Sequence, residues 1–288
     1  MGKNVYLPGL ALVGGGLGLG LRLWQRLVSF DPETLLFTSG CPAPALLLAL
    51  TAAAAAILLL ALRREGPPKK AAEALPCPST LYMTLMAAGA LLMLAGGALT
   101  AQEGFYQLTV WRANPTVEPI TYPIALLLCA LFSFLSGPAL LLLGREGYRG
   151  PITAKAGPWS LVQPAAGLAW LFAFHLHHGT DPVLMDYGPA LAAVAFLMLG
   201  SYELAALRYA RPHPRRGLFC CLFGVYLGLL SLGDSLEPFR LALAAAFILS
   251  DLAGAMALLS HMGPVRSGGA RLASRKEIHN EGDHNNGE

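Results

Sequence analysis

The sequence predicts an all-α protein, a polytopic bundle of about eight transmembrane helices with both termini on the cytoplasmic side. Three observations predict this fold. Of the 288 residues, 55% are hydrophobic and only 13% are charged, and the mean hydropathy is +0.54. Long apolar stretches recur along the chain, and the charges between them alternate in sign. Soluble domains carry about 25% charged residues, and a bilayer covers apolar surface that a soluble core of this size could not hide.

The apolar stretches define the predicted helices in order, because a helix needs about 20 apolar residues to cross the hydrocarbon core. Eight stretches meet this requirement: 5–24, 44–62, 80–100, 123–143, 159–177, 188–208, 217–234 and 240–260. Such long runs exclude barrel strands, which alternate in short pieces. Residues 1–262 therefore form one predicted bundle. Residues 263–288 are rich in Gly, Asn and charge, and are predicted to be a disordered cytoplasmic tail.

The charged connections set the predicted orientation. The basic connections contain Arg63, Arg64, Lys69 and Lys70, then Arg145, Arg149 and Lys155, then Arg208, Arg211, Arg215 and Arg216. All but four of the 20 Lys and Arg residues fall on this predicted side. The positive-inside rule therefore predicts that this side faces the cytoplasm, and we expect the membrane to be a bacterial inner membrane. The basic residues are expected to face the lipid bilayer and its anionic headgroups, and no nucleic-acid partner is expected.

One connection and the cysteines carry further expectations. The longest outer connection, 101–122, contains aromatic residues and prolines, and we expect it to lie along the membrane surface. Cys41 falls on the predicted outer side and Cys77 on the inner side. The other three cysteines lie inside apolar segments, so the set does not resemble a disulfide framework.

A short pattern occurs in two outer loops that are four predicted spans apart. The first loop contains Asp31-Pro32 and then Gly40-Cys41-Pro42, and the other contains Asp181-Pro182 and then Gly188-Pro189. A parallel repeat of four plus four helices would place the two loops at equivalent positions. Ordinary helix punctuation, with Asp as a cap and Pro in the first turn, is the alternative.

Glycines in two predicted spans indicate close helix packing. Gly14 with Gly18 and Gly16 with Gly20 form two small-xxx-small pairs in the first span, and Gly224 with Gly228 forms one in the seventh. Such pairs let helix backbones approach closely in lipid. A phosphate-binding loop would need a strand before the glycines, so we favour the packing interpretation.

Two carboxylates inside predicted spans are the main candidates for function. Asp251 lies near the middle of the eighth span, and Glu203 lies near the inner end of the sixth. A charge at the bilayer centre costs at least about 2.5–3.5 kcal/mol, so such acids must face the bundle, be paired or be protonated. Depth matching predicts Gln163 beside Glu203 and Tyr226 beside Asp251. The alternative for Asp251 is a structural hydrogen bond to Ser250 or Tyr226, and Glu203 could reach Arg208 or headgroups.

The outer end of the fifth span carries a second polar cluster. His175 and His178 share a helical face, and Asp181 and Asp234 lie on the same predicted side. A metal or pH-sensing site could be assembled from these residues. No cysteine pair or Glu-x-x-His motif supports a metal, so we predict neither a metal nor another cofactor.

Enzyme motifs are absent from the sequence. Ser133 and Ser136-Gly137 occur in the fourth span without a Gly-x-Ser-x-Gly elbow. The sequence contains no Glu-Glu pair, no His-Glu-x-x-His and no Walker motif. An enzymatic function is therefore not favoured.

Several short motifs resemble a set of uncharacterised bacterial multi-pass membrane proteins. They are Leu21-Arg22-Leu23-Trp24, Phe30-Asp31-Pro32, Asp181-Pro182 and Tyr202. The resemblance implies a multi-pass membrane fold. It implies no functional residues, because that group has no assigned activity.

Two hypotheses for function follow. The first is a transporter-like protein that binds or moves a small solute or a proton, with Asp251 as the protonatable residue and Glu203, Gln163 and Tyr226 around it. The second is a sensor, an assembly factor or an accessory subunit that acts through its cytoplasmic basic loops.

Overall fold

The protein folds entirely into helices over the residues that its computed structural model describes. These residues are 3–29, 40–66, 75–113, 115, 120–150, 156–179, 184–209, 213–234 and 237–263. The helices within these ranges are α1 Lys3–Ser29, α2 Ala43–Arg63, α3 Thr80–Ala113, α4 Thr121–Arg149, α5 Gly157–Ser160, α6 Val162–His178, α7 Leu184–Arg208, α8 Pro214–Ser231 and α9 Pro238–His261. No β-strand occurs in these ranges, so the all-α prediction is confirmed for them.

Six of these helices are long and apolar enough to cross a membrane: α1, α2, α3, α4, α7 and α9. The helical, apolar bundle is consistent with an integral membrane protein. The other two predicted spans are helical as well, but α6 has 17 residues and α8 begins with Arg215 and Arg216. The number of helices that cross the bilayer therefore stays a prediction.

A proline divides the fifth predicted span into α5 and α6. Pro164 has no N–H, so the bond that would reach back to the Ser160 carbonyl is missing. The Leu161 N–H instead donates to the Pro158 carbonyl at 3.1 Å, and the regular pattern resumes where the Ala165 N–H donates to the Leu161 carbonyl at 3.1 Å. The two helices together cover the predicted segment 159–177.

Helix α3 corrects the expectation for the connection 101–122. The helix does not stop near residue 100 but continues to Ala113, for 34 residues in all. Phe105, Tyr106 and Trp111 therefore lie on a helix that extends the third span. The physical reason is that the polar segment contains good helix formers and no proline before Pro115, so nothing ends the helix earlier.

Contacts between chain segments sort the helix ends into two groups. At one end, which we call the basic end, the Gly66 N–H donates to the Gly263 carbonyl at 2.7 Å and the Cys77 N–H to the Gly147 carbonyl at 2.8 Å. The same end contains Arg208 and the start of α8. The opposite end, which we call the aspartate end, brings together the end of α1, the start of α7 and the turn between α8 and α9.

Helix α9 lies at the centre of the bundle. It packs against α3, α7 and α8, and more lightly against α1. The remaining neighbours continue around it, with α4 on α3, α6 on α4 and α7, and α1 on α8. In its most apolar stretch 72% of the residues are buried, against 22% for α2, which contacts α1 and α8 at the edge. Polar side chains on α9 are therefore enclosed by protein.

The glycines of α1 divide between a packed face and an open face. A Cβ on Gly15 would lie 2.8 Å from two carbons of the Leu229 side chain, and one on Gly18 would lie 3.1 Å from Leu230. Gly14 faces Tyr226 on the same helix, α8. Gly16 and Gly20 have nothing within 4 Å, so only one of the two predicted pairs forms a helix contact within the described residues.

This division predicts opposite effects at two adjacent positions. Gly15→Leu should lower the free energy of unfolding by about 1–3 kcal/mol, because the added side chain overlaps Leu229. Gly16→Leu should cause no loss, because that position is open and leucine is a better helix former than glycine. Unfolding of both variants in lipid or detergent checks this, and equal losses at the two positions would contradict the packing.

Candidate functional site

Asp251 is fully enclosed near the middle of α9. It lies roughly 20 Å along the helix from Pro238, at 1.5 Å per residue, and its exposed fraction is 0%. Helices α7 and α8 close over it. A Cβ on Gly200 of α7 would lie 2.5 Å from the Asp251 Oδ2 atom and 3.1 Å from the Cα atom of Cys221 on α8. Glycine at position 200 therefore makes the room that the carboxylate occupies.

Neither carboxylate oxygen of Asp251 has a hydrogen-bond partner among the described residues. The two partners considered from the sequence are engaged elsewhere. The Ser250 hydroxyl bonds to the Ala246 and Phe247 carbonyls of its own helix at 3.0 Å. The Tyr226 hydroxyl shares a 3.1 Å hydrogen bond with the Thr51 hydroxyl of α2. Asp251 is thus a buried acid without a hydrogen-bond partner in the part of the chain that the structure describes.

Glu203 is buried as well, but it is paired. Its Oε1 atom lies 2.8 Å from the Nε atom of Arg216, whose side chain is 62% exposed. The sequence suggested Arg208 or lipid headgroups as partners of Glu203, whereas the structure pairs it with Arg216. Gly217 explains the pairing, because a Cβ there would lie 3.2 Å from the Glu203 Cβ atom and the start of α8 therefore comes close to α7.

Gln163 lies beside α9 and not beside Glu203. Its side-chain nitrogen donates to the Ser250 hydroxyl at 2.5 Å, one residue before Asp251. Ring packing between Trp170 of α6 and Phe247 of α9, with centroids 5.9 Å apart, holds the same two helices together. The four predicted intramembrane residues therefore occupy separate positions and do not form one polar cluster.

The aspartate end contains a buried ion-pair network centred on Arg22. This residue has an exposed fraction of 0%, and its Nε atom donates to the Asp234 Oδ1 atom at 2.6 Å. Its Nη1 atom donates to the Gln25 side chain at 2.9 Å, and its Nη2 atom donates to the Asp186 carbonyl. Arg26 lies 3.7 Å from the same Asp234 oxygen. Burial raises the pKa of Asp234 above its ordinary value, and the two guanidinium groups only partly oppose that effect.

The histidines belong to a neighbouring arrangement around Arg240. His178 Nε2 lies 3.1 Å from Arg240 Nη1, and its ring stacks on Tyr187 with centroids 5.1 Å apart. Arg240 also pairs with Glu237 at 2.5 Å. His175 is exposed.

The predicted outer cluster is therefore not one site. His178 contacts Arg240, while Asp234 contacts Arg22, and Asp181 lies outside the described residues. In the part of the chain that is described, no group of three His, Cys, Asp or Glu residues is arranged to hold a metal ion.

Sequence reasoning missed the residues that meet Asp251 and Glu203. Gly200 and Cys221 give no local signal, because a small residue in an apolar stretch is ordinary in a membrane helix. The sequence indicated a role for Arg216 only in orientation or in a basic loop that a partner would contact. One nonlocal signal was available. Gly200 and Ser201 are two adjacent small residues on α7, at the depth of a buried acid on a neighbouring helix.

Comparison with models of protein families, with curated proteins and with solved structures found no match in any of the three.

The network at the aspartate end gives a stability prediction. Arg22→Met should lower the free energy of unfolding by about 3–5 kcal/mol, because it leaves the Asp234 carboxylate buried without its main counter-charge. Adding Asp234→Asn should recover much of this loss. Arg26→Met is the control and should cost less than about 1 kcal/mol, because that side chain is 30% exposed. A double variant as unstable as Arg22→Met alone would refute the ion-pair explanation.

Proposed function

We propose that this chain is a multi-pass membrane protein that binds and moves a small solute, with Asp251 as the residue that takes up and releases a proton. The observation that carries the proposal is a carboxyl group with an exposed fraction of 0% and no hydrogen-bond partner among the described residues. An acid inside a membrane helix bundle is a functional candidate by default.

The energetics of Asp251 support this role. A purely structural acid would gain stability from hydrogen bonds, and Asp251 makes none with the described residues. If it ionised in place, the buried unpaired charge would cost several kcal/mol. Ionisation would therefore favour a rearrangement that brings water or a cation to the carboxylate. Such a link between a proton and a change in helix packing is what a coupled transporter needs.

The contact with α7 is the place where such a rearrangement would act. The α7 backbone lies directly against the carboxylate because Gly200 has no side chain. A small shift or rotation of α7 would open this contact, since Gly200 contributes no side-chain packing there. Cys220 and Cys221 of α8 interact electrostatically with Asp251, and the Glu203–Arg216 pair interacts in turn with Cys220.

The proposal includes the orientation in a bacterial cytoplasmic membrane. The basic end, with Arg63, Arg64, Arg145 and Arg149, would face the cytoplasm together with both termini. The aspartate end would face outward. The repeat of four plus four helices remains a proposal, because loop residues 30–39 and 180–183 lie outside the described residues, as do the tail residues 264–288.

Cysteine labelling tests this orientation. Cys41 lies partly exposed just before α2 on the proposed outer side, whereas the other four cysteines are buried. A membrane-impermeant maleimide should label intact cells through Cys41 alone, and Cys41→Ser should remove the label. Labelling of Cys41 only in inverted vesicles would reverse the orientation.

Substitution of Asp251 separates a functional acid from a structural one. Asp251→Asn keeps the shape and cannot ionise, so it should be as stable as the wild type or more stable. The advantage should grow from about pH 5 to about pH 9, because only the wild type can acquire a buried unpaired charge. Thermal unfolding in lipid nanodiscs measures both effects. Asp251→Asn that is markedly less stable at every pH would make Asp251 a structural residue.

Transport itself needs a separate measurement. Proteoliposomes that enclose a pH-sensitive dye should report solute-dependent proton entry for the wild type and none for Asp251→Asn. Glu203→Gln is the matched control, since Glu203 is already paired with Arg216 and should not be required. Absence of any Asp251-dependent flux, together with co-purification of a stoichiometric protein, would favour the sensor or accessory-subunit hypothesis.

A further inference from the structure

A cavity of about 50 Å³ with a partly polar lining lies toward the basic end. It is enclosed mainly by α3, α4, α6, α7 and α9. Most of its wall is apolar, formed by side chains such as Met86, Leu140 and Leu204. Its polar lining consists of Tyr82, Ser160, Gln163, Ser201, Arg208 and Ser250. A cavity needs about 10–15 Å³ for each water molecule by this measure, so the space accepts a few waters or a solute of similar size.

Arg208 is the charged group of this cavity. Its side chain is only 7% exposed, and its Nη1 atom has no hydrogen-bond partner among the described residues. Arg208 forms an ion pair with Glu146, whose Oε2 atom lies 3.7 Å from Arg208 Nη1, a distance longer than a hydrogen bond. A buried guanidinium with an unsatisfied donor is costly unless a hydrogen-bonding anion completes it.

The remaining polar lining provides further hydrogen-bonding groups. The Ser201 hydroxyl donates to the Met198 carbonyl and the Ser160 hydroxyl donates to the Gly157 carbonyl, so neither serine has a donor left for an anion. The Gln163 amide bonds to Ser250 through one of its two N–H groups. Its second N–H and the Tyr82 hydroxyl therefore add neutral donors to the charged fork of Arg208.

We infer that this cavity is a binding site for a small carboxylate, held by the Arg208 guanidinium with the Gln163 amide and the Tyr82 hydroxyl as further donors. Two parallel N–H···O bonds match the planar fork of arginine to the two oxygens of a carboxylate. The apolar wall suits a short aliphatic part, and the volume limits the ligand to a few heavy atoms.

The location of the cavity connects it to Asp251. Ser201 lines the cavity while Gly200, its neighbour on α7, packs against Asp251. On α9, Ser250 lines the cavity and immediately precedes Asp251. The claim that this carboxylate is the solute of a transporter rests on the function proposed above. Movement of one monoanion together with one proton carried by Asp251 would be electrically neutral. Binding alone does not depend on that function.

Binding is tested with sodium acetate as the probe on the full-length protein in nanodiscs. Thermal unfolding is followed while acetate replaces chloride at constant ionic strength. The wild type and Arg145→Gln, a substitution of an exposed arginine at the same end, should show the same saturable rise in melting temperature. Arg208→Gln should weaken apparent acetate affinity at least about tenfold, because a charge-assisted hydrogen bond is lost.

Arg208→Lys keeps the proposal testable if Arg208→Gln does not fold, because it retains the charge while losing the planar fork. It should bind acetate more weakly than the wild type. No saturable effect in the wild type, or equal affinities in the wild type and the Arg208 variants, would overturn the site. Stronger stabilisation by inorganic phosphate than by acetate would overturn the carboxylate assignment.

The two proposals fail separately. Acetate binding that requires Arg208, without any proton-coupled uptake, supports this site and removes the transport function. Uptake of another solute that requires Asp251, without acetate binding, supports transport and removes this site.

Discussion

Close approach of the surrounding helices to α9 is the constraint on which the rest of the bundle depends, and glycines of α3, α7 and α8 provide it. A Cβ on Gly89 of α3 would lie 3.3 Å from the Ala246 carbonyl, and one on Gly228 of α8 would lie 2.8 Å from Ile248. Gly200 of α7 does the same at Asp251. In lipid no hydrophobic driving force holds helices together, so van der Waals contact at such positions must supply much of the stability.

This enclosure has an electrostatic consequence, because any ionisable group on the inner helix faces loses its water. The bundle meets that cost by pairing charges at two positions. Arg22 is paired with Asp234 in the turn after α8, and Glu203 is paired with Arg216 of α8. Asp251 has no such partner among the described residues. Because the fold provides partners for Arg22 and Glu203, the lack of a described partner for Asp251 is the unusual feature of the molecule.

Much of the fold could be predicted from the sequence because the length of an apolar run is a local property, and all eight predicted segments lie mainly on helices. The side-chain pairings could not, because they depend on the rotation of each helix about its axis. Depth alone matched Gln163 to Glu203, whereas the packing of α6 against α9 places Gln163 on Ser250. The long α3 was missed for a related reason, since hydropathy marks where a helix meets lipid and not where it ends.

Helices α7 and α9 are the elements through which the Asp251 side chain and the cavity lined by Arg208 would influence one another. On α7, Gly200 packs against Asp251 and the adjacent Ser201 lines the cavity. On α9, Asp251 is adjacent to Ser250, which also lines the cavity. Adjacent residues on a helix point about 100° apart, so a rotation that moves one from its contact must move the other. Occupation of the cavity and ionisation of Asp251 therefore cannot be independent if either one turns α7 or α9, and linkage requires the effect to be reciprocal.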